Sequence, residues 1–254
     1  AIRDFMRYLY DTTTGALNPK YLLLVGDASY DYKNRIKGNT NFVPTYEGFN
    51  STDPIGSFCS DDYFGFLDDN EGWVNDYYSD DMFDIAIGRF PVRTEQQAEE
   101  MVDKVKRYSS SDAMRDWRNT VTLVSDDQNF NGFLNESEGL AKHMATNYPF
   151  YNIDKIYFDA YKQTITASGA RYPGAKADLN RRIDAGSLVV DYIGHGGETG
   201  LAHERVVEIS DINSWNNATS LPLFITATCE FSRFDDPERV SAGELAFLNP
   251  HGGA

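Results

Sequence analysis

The chain has 254 residues, 41% of them hydrophobic, and carries 39 acidic against 23 basic side chains for a formal net charge of −16. That length and apolar fraction suffice for one large α/β domain or two small ones. The acidic excess argues against nucleic acid and anionic membrane surfaces as partners and suits bound cations. The two cysteines, Cys59 and Cys229, make no disulfide framework, and no apolar run is long enough to span a bilayer.

The chain opens on "AIRDFMRYLYD", which reads as an amphipathic helix with no basic-then-apolar leader, and stops on "NPHGGA", where a turn normally feeds another strand. It is therefore expected to be a piece of something longer. "PKYLLLVGDASYD" (19–31) and "FDIAIGRFPV" (83–92) read as buried parallel strands whose carboxyl ends meet loops. Between them, the acidic and aromatic stretch 60–81 is too rich in Gly, Asn and Asp for a helix, and is expected to be an irregular excursion with a solvated face. Residues 94–110, with a Thr cap, early glutamates and late basic residues, read as a helix.

The second half cycles strand "TVTLVSDD", helix "SEGLAKHMATNY", strand "IDKIYFDAY", helix "AKADLNRRIDAG", strand "SLVVDYIG", helix "SDINSWNN", strand "LPLFITAT" and helix "SAGELAFLN". Strands alternating with helices predict a doubly wound, mainly parallel sheet with ligands at the strands' carboxyl ends. Two such ends carry His195 and Cys229. A thiolate becomes a useful nucleophile when a neighbouring imidazole takes its proton. If the two strands are adjacent, their ends lie roughly 5 Å apart, within side-chain reach. The glycines of "GHGG" would let a substrate carbonyl approach the main chain, with the amides of Gly196 and Cys229 donating to the oxyanion. The plain alternative is a buried small Cys and a turn His.

"YIGHGG…FITATCEFSRFDDP" resembles the gingipain group of clan CD cysteine peptidases. Together with "YLLLVGDASYDYKN", "SDDYFGFLD", "DIAIGRFPVRT" and "GHGGETGLAHERV", it is similar, over nearly the whole chain, to the sortases of the type IX secretion system within that family. The resemblance implies a caspase-like, three-layer α/β/α fold in two subdomains, here 1–115 and 116–254, the second carrying the dyad and lacking its C-terminal end. It implies His195 as general base and acid, Cys229 as nucleophile, and Gly196 with Cys229 as oxyanion donors. It also implies cargo whose C-terminal sorting domain is removed, a lipopolysaccharide amine or water as acceptor, an outer-membrane barrel as companion, and a place on the outer membrane's external face. An ordinary secreted peptidase of the same chemistry, or a non-catalytic calcium-bound module, are the rival expectations.

The same resemblance aligns "NESE" with a stretch that supplies a third catalytic residue, placing Glu136 beside His195 to orient it. Where arginine-specific relatives carry an acidic specificity residue, this chain has Thr146 and Asn147, which predicts a small or neutral preference. His203 and Arg233, close in sequence to the dyad, are candidates for lining the pocket. Asp235 and Asp236 either shape the cleft or form a turn before the "SAGE" cap. Cys59, His143 and His251 are expected to be structural or surface residues.

"DQNFNGFLNESE" fits the twelve-residue calcium loop D-x-[DN]-x-[DN]-G-x5-E. It would hold Ca²⁺ through Asp127, Asn129, Asn131, the Phe133 carbonyl, Asn135 via water, and Glu138, with Gly132 at the turn. The alternative for the same residues is a polar turn ahead of a helix.

Overall fold

The computed structural model describes residues 1–48, 58–72 and 81–254. They form two compact units: Ala1–Ala98 with Phe234–Arg239, and Glu99–Arg233 with Val240–Ala254. The division falls within a helix ahead of the expected limit at 115. The reason is local: Lys104 Nζ donates to the Phe247 and Ala254 carbonyls, and Arg107 to that of Pro250, so this helix belongs with the C-terminal residues.

In the first unit, helix α1 (Ile2–Thr12) buries Met6 against Leu67 and Ile85. Strands β1 (Tyr21–Val25) and β2 (Ala86–Phe90) pair in parallel, as their apolar runs predict. The acidic excursion is not uniformly solvated. Arg89 holds the Asp61 carboxylate with two bonds, at 2.6 and 2.7 Å, and Leu67 N donates to Asp84. Cys59–Ser60 pairs antiparallel with Tyr46–Glu47, while residues 73–80 of the stretch lie outside the described residues. Burial pushes the Cys59 thiol well above its ordinary range, which leaves it unreactive. Asp235 and Asp236 belong to this unit as a turn: Tyr30 N donates to the Asp235 carbonyl, and Glu238 N to Asp236 Oδ1.

Helix α2 (Glu95–Tyr108) begins where expected, with Gln97 N donating to Thr94 Oγ1. The second unit is built on β3 (Thr120–Ser125), β4 (Asn152–Tyr157), β5 (Val189–Ile193) and β6 (Leu223–Ala227), all parallel in the order β6-β5-β3-β4. Side chains alternate across it. Val121 and Leu123 pack under α3 (Gly132–Asn147). Val124, Val190 and Tyr192 face the core shared with α4 (Pro173–Ala185), α5 (Ile209–Ser214) and α6 (Ala242–Leu248). The expected "SAGE" start of α6 is a capping box in which Ser241 and Glu244 satisfy each other's main-chain N–H. An antiparallel pair, Thr164–Thr166 with Gly169–Arg171, lies inside what reads as a simple strand-to-helix connection.

Strand β6 is the sheet's edge, and its Leu223 and Ile225 remain exposed on one face. Between Ile225 and Leu123 in register sits Asp191, 7% exposed, with its Oδ2 bonded to nothing. Burial alone raises its carboxyl above the ordinary range. Between the unfolded and folded values the native state binds more protons, so this group makes stability fall as pH rises from about 4. Asp191→Asn is expected to flatten that segment of the stability–pH curve and to stabilise the fold at pH 7 by about 1 kcal/mol in urea titrations; a less stable variant at pH 7 would refute the assignment.

Candidate active site

Strands β5 and β6 pair in register, with Ile193 opposite Ala227, so each runs two further residues to His195 and Cys229. Gly194 N continues the pairing beyond the last register pair by donating to the Ala227 carbonyl at 3.3 Å. The adjacency that the sequence reading required is present. Cys229 is a free, exposed thiol, followed by Glu230 in the left-handed region at φ 53°. That conformation is uncommon for a non-glycine residue and turns the chain sharply just past the thiol.

His195 is held chiefly by its main chain. Its N–H donates to Asp126 Oδ2 at 3.0 Å, and its carbonyl accepts from Tyr192 Oη at 2.6 Å and Ala202 N at 2.8 Å. Its ring lies edge-on to Phe133, with centroids 5.3 Å apart, and stacks on His203 at 5.0 Å and 9°. His203 is in turn fixed by Gln128 Nε2, 3.2 Å from its Nδ1.

The glycines on either side of His195 are required by contact. A Cβ on Gly194 would sit 2.4 Å from Asp126 Cβ and 2.5 Å from Tyr192 Oη, and one on Gly196 would meet Thr228 Oγ1 at 2.5 Å. Gly197, by contrast, faces open space. Gly196–Gly197 pairs antiparallel with Gly200–Leu201. Because Ala202 N bonds the His195 carbonyl, position 195–202 is a hydrogen-bonding position of the ladder, with the His195 N–H diverted to Asp126, and the next pair, Gly196 with Leu201, is of the non-bonded kind. The Gly196 N–H thus stays outside this ladder. Beside it opens a cleft of about 590 Å³ lined by Gly196, Gly197, Thr199, Ala202, His203 and Arg205.

Other expected site residues fall elsewhere. Helix α3 starts at Gly132, five residues before the expected "SEGLAKHMATNY", and runs back along the sheet from the strands' carboxyl ends. Thr146 and Asn147 therefore sit roughly 20 Å further along its axis, exposed and bonded to the helix's own carbonyls of Lys142 and His143. The specificity reading drawn from them loses its basis. Glu136 is exposed on the first turns of α3, and the α3 side chain that touches the His195 ring is Phe133. Arg233 is engaged by Glu198 at 3.1 Å, which ties the loops after β5 and β6 together. His143 and His251 are exposed, as expected.

The early start of α3 also dissolves the twelve-residue calcium loop. Its seventh to twelfth positions are helical, so Phe133, Asn135 and Glu138 cannot fold back onto Asp127, Asn129 and Asn131. Glu138 instead bonds Lys155 at 2.6 Å and accepts from Tyr157 Oη, and the lysine holds its carboxyl below the usual range. Asp127 accepts from Tyr172 Oη at 2.6 Å. The residues that sequence reasoning passed over are Asp126, Tyr192 and Thr228, each touching "GHG". The available signal was a carboxylate at the end of β3, which the topology places next to β5.

The chain matches the profile of Peptidase family C25 over residues 1–254. Among solved structures it is similar to the Arg specific cysteine proteinase gingipain R (RGPB), with a TM-score of 0.69 and 17% identity, covering 99% of this chain and 50% of that one. It is similar also to the complex of Porphyromonas gingivalis RgpB pro- and mature domains (0.66, 16%, 99% and 52%) and to a structure described as a protease (0.65, 19%, 100% and 48%). The chain thus spans about half the length of these proteins. The likeness shows the gingipain-type caspase fold in both units. No curated protein matches.

The packing of the glycines is directly testable. Gly196→Ala is expected to destabilise the protein by about 1–3 kcal/mol through its collision with Thr228, and Thr228→Ala in the same chain to recover most of that loss in denaturant titration. Additive losses in the double variant would show that the two residues do not meet.

Proposed function

The chain belongs to peptidase family C25, and we propose that it forms the catalytic part of a cysteine endopeptidase whose nucleophile is Cys229 and whose general base is His195. The single observation that carries this reading is the in-register pairing of β5 with β6, which brings an exposed thiol and an imidazole to one edge beside a cleft.

The steps follow from these groups. His195 takes the Cys229 proton as the sulfur attacks the scissile carbonyl carbon, and the oxyanion is received by the N–H groups of Gly196 and Cys229. Collapse of the tetrahedral intermediate breaks the C–N bond, and the departing amine takes the proton back from His195. The remaining thioester is opened by water, giving a carboxylate, or by a primary amine, giving a new amide. In both cases the thiol is restored. With its main chain held at both N and O, His195 can serve both proton transfers without relocating.

The finer reading is a sortase of the PorU type. It would remove the C-terminal sorting domains of type IX secretion cargo and pass the new C-terminus to a lipopolysaccharide amine or to water. It would act on the external face of the outer membrane beside a barrel partner. Its support is the similarity of "YIGHGG", "GHGGETGLAHERV" and "FITATCEFSRFDDP" to that group, together with an exposed Cys229 that an acceptor larger than water can reach.

Incubation of the protein with a cargo C-terminal domain and a primary amine, followed by mass spectrometry, tests both levels. Amine-capped product is expected, lowered at least about 10³-fold in Cys229→Ala and in His195→Ala. Carboxylate product alone would leave a secreted endopeptidase without transfer. Absence of any Cys229-dependent product would leave a non-catalytic binding module.

A further inference from the structure

Behind the His195 main chain, three carboxylates converge. Asp126 and Asp127 directly follow β3, and Glu204 comes from the loop that carries His203; one oxygen from each lies within 4.8 Å of the others. Asp126 is 1% exposed and Glu204 6%. Among the described residues, no lysine or arginine pairs with any of the three. Asp126 is satisfied by the N–H groups of His195 and Gln128, and Asp127 Oδ2 by Tyr172 Oη. Asp127 Oδ1 and Glu204 Oε2 are sealed from solvent with no donor on either. Glu204, more than nine-tenths buried, bonds the Gln128 side chain yet leaves its Oε2 without a donor, whereas a buried carboxylate ordinarily has both oxygens satisfied by partners or a metal.

We propose that Asp126, Asp127 and Glu204 form a binding site for a divalent cation of the calcium type. The donor set is all oxygen, which suits a hard cation, and the spacing of its atoms matches oxygens lying 2.3–2.6 Å from one Ca²⁺. The two orphan oxygens become ligands, and the convergence of three negative charges becomes favourable. The site differs from the twelve-residue motif, with which it shares only Asp127.

The placement gives the ion a role. Asp126 holds the His195 N–H, and Glu204 follows His203, whose ring stacks on that of His195. A cation here would clamp the end of β3 to the loop after β5 and so fix the segment that delivers the imidazole. This inference stands on the cluster itself and does not depend on which acceptor or cargo the enzyme uses.

The test is calcium binding to the full chain after EGTA treatment, by isothermal titration with CaCl₂ and by thermal melting with and without it. One site in the range of about 10 µM to 1 mM is expected, with a melting point about 5 °C higher at hundred-fold excess over Kd. Glu204→Gln and Asp127→Asn should each weaken binding at least about ten-fold. Glu138→Gln should bind as the parent does. In EGTA, Glu204→Gln should melt at or above the parent, because a repelled buried charge has been removed. The proposal is overturned by absence of calcium heat and melting shift in the parent, by binding that survives both cluster variants, by loss of binding in Glu138→Gln, or by failure of Glu204→Gln to fold.

Discussion

Everything chemical in this molecule depends on the parallel pairing of β5 with β6. Parallel strands with a fixed register deliver residues two positions past their last pair to the same edge of the sheet. Neither His195 nor Cys229 therefore needs a long-range contact of its own to find the other. A slip of one residue would leave one side chain on the opposite face of the sheet. The core fixes that register. Val190 and Tyr192 of β5 and Phe224 of β6 face the shared core with Trp215 and Phe231, and their displacement would expose large buried surfaces.

The second constraint is closeness. The residues around His195 are packed so tightly that two of them can only be glycine: Gly194 lies against Asp126 and Tyr192, and Gly196 against Thr228. The latter contact joins the His195 turn to the side chain of the residue before Cys229, so this packing sets the spacing between His195 and Cys229. Three hydrogen bonds then lock the His195 main chain, while Phe133 and His203 flank its ring. Preorganisation here is achieved mainly through backbone atoms, which move less than side chains, and the acidic cluster beneath them is where a counter-charge would have most leverage.

Much of this was legible in the sequence. Continuous apolar runs ending in polar or glycine residues gave the parallel strands, and the interleaved amphipathic segments gave their helices, because burial on both faces of a sheet leaves that pattern. The juxtaposition of His195 and Cys229 was legible too, because both follow apolar runs that end as strands of one parallel sheet. What was not legible depends on where helices begin and point. Asn129, Phe130 and Asn131 adopt left-handed backbone angles that end the turn early, so α3 starts at Gly132 and carries Thr146 and Asn147 away from the site. The calcium motif was satisfied letter by letter, yet Lys155 claims Glu138 from a neighbouring strand. Nor does any local pattern join Asp126 and Asp127 to Glu204, almost eighty residues away; only the sheet order does.

The central claim is that the ends of β5 and β6 meet. Replacing His195 with cysteine and oxidising mildly would test it with no substrate at all, since a disulfide forms only when the two Cα atoms lie about 4.4–6.8 Å apart. The account predicts that His195→Cys forms a bond to Cys229 nearly quantitatively, identified by peptide mapping, with Cys59, the other cysteine of the chain, left reduced. Persistence of both thiols under oxidation, or pairing of either with Cys59, would contradict it.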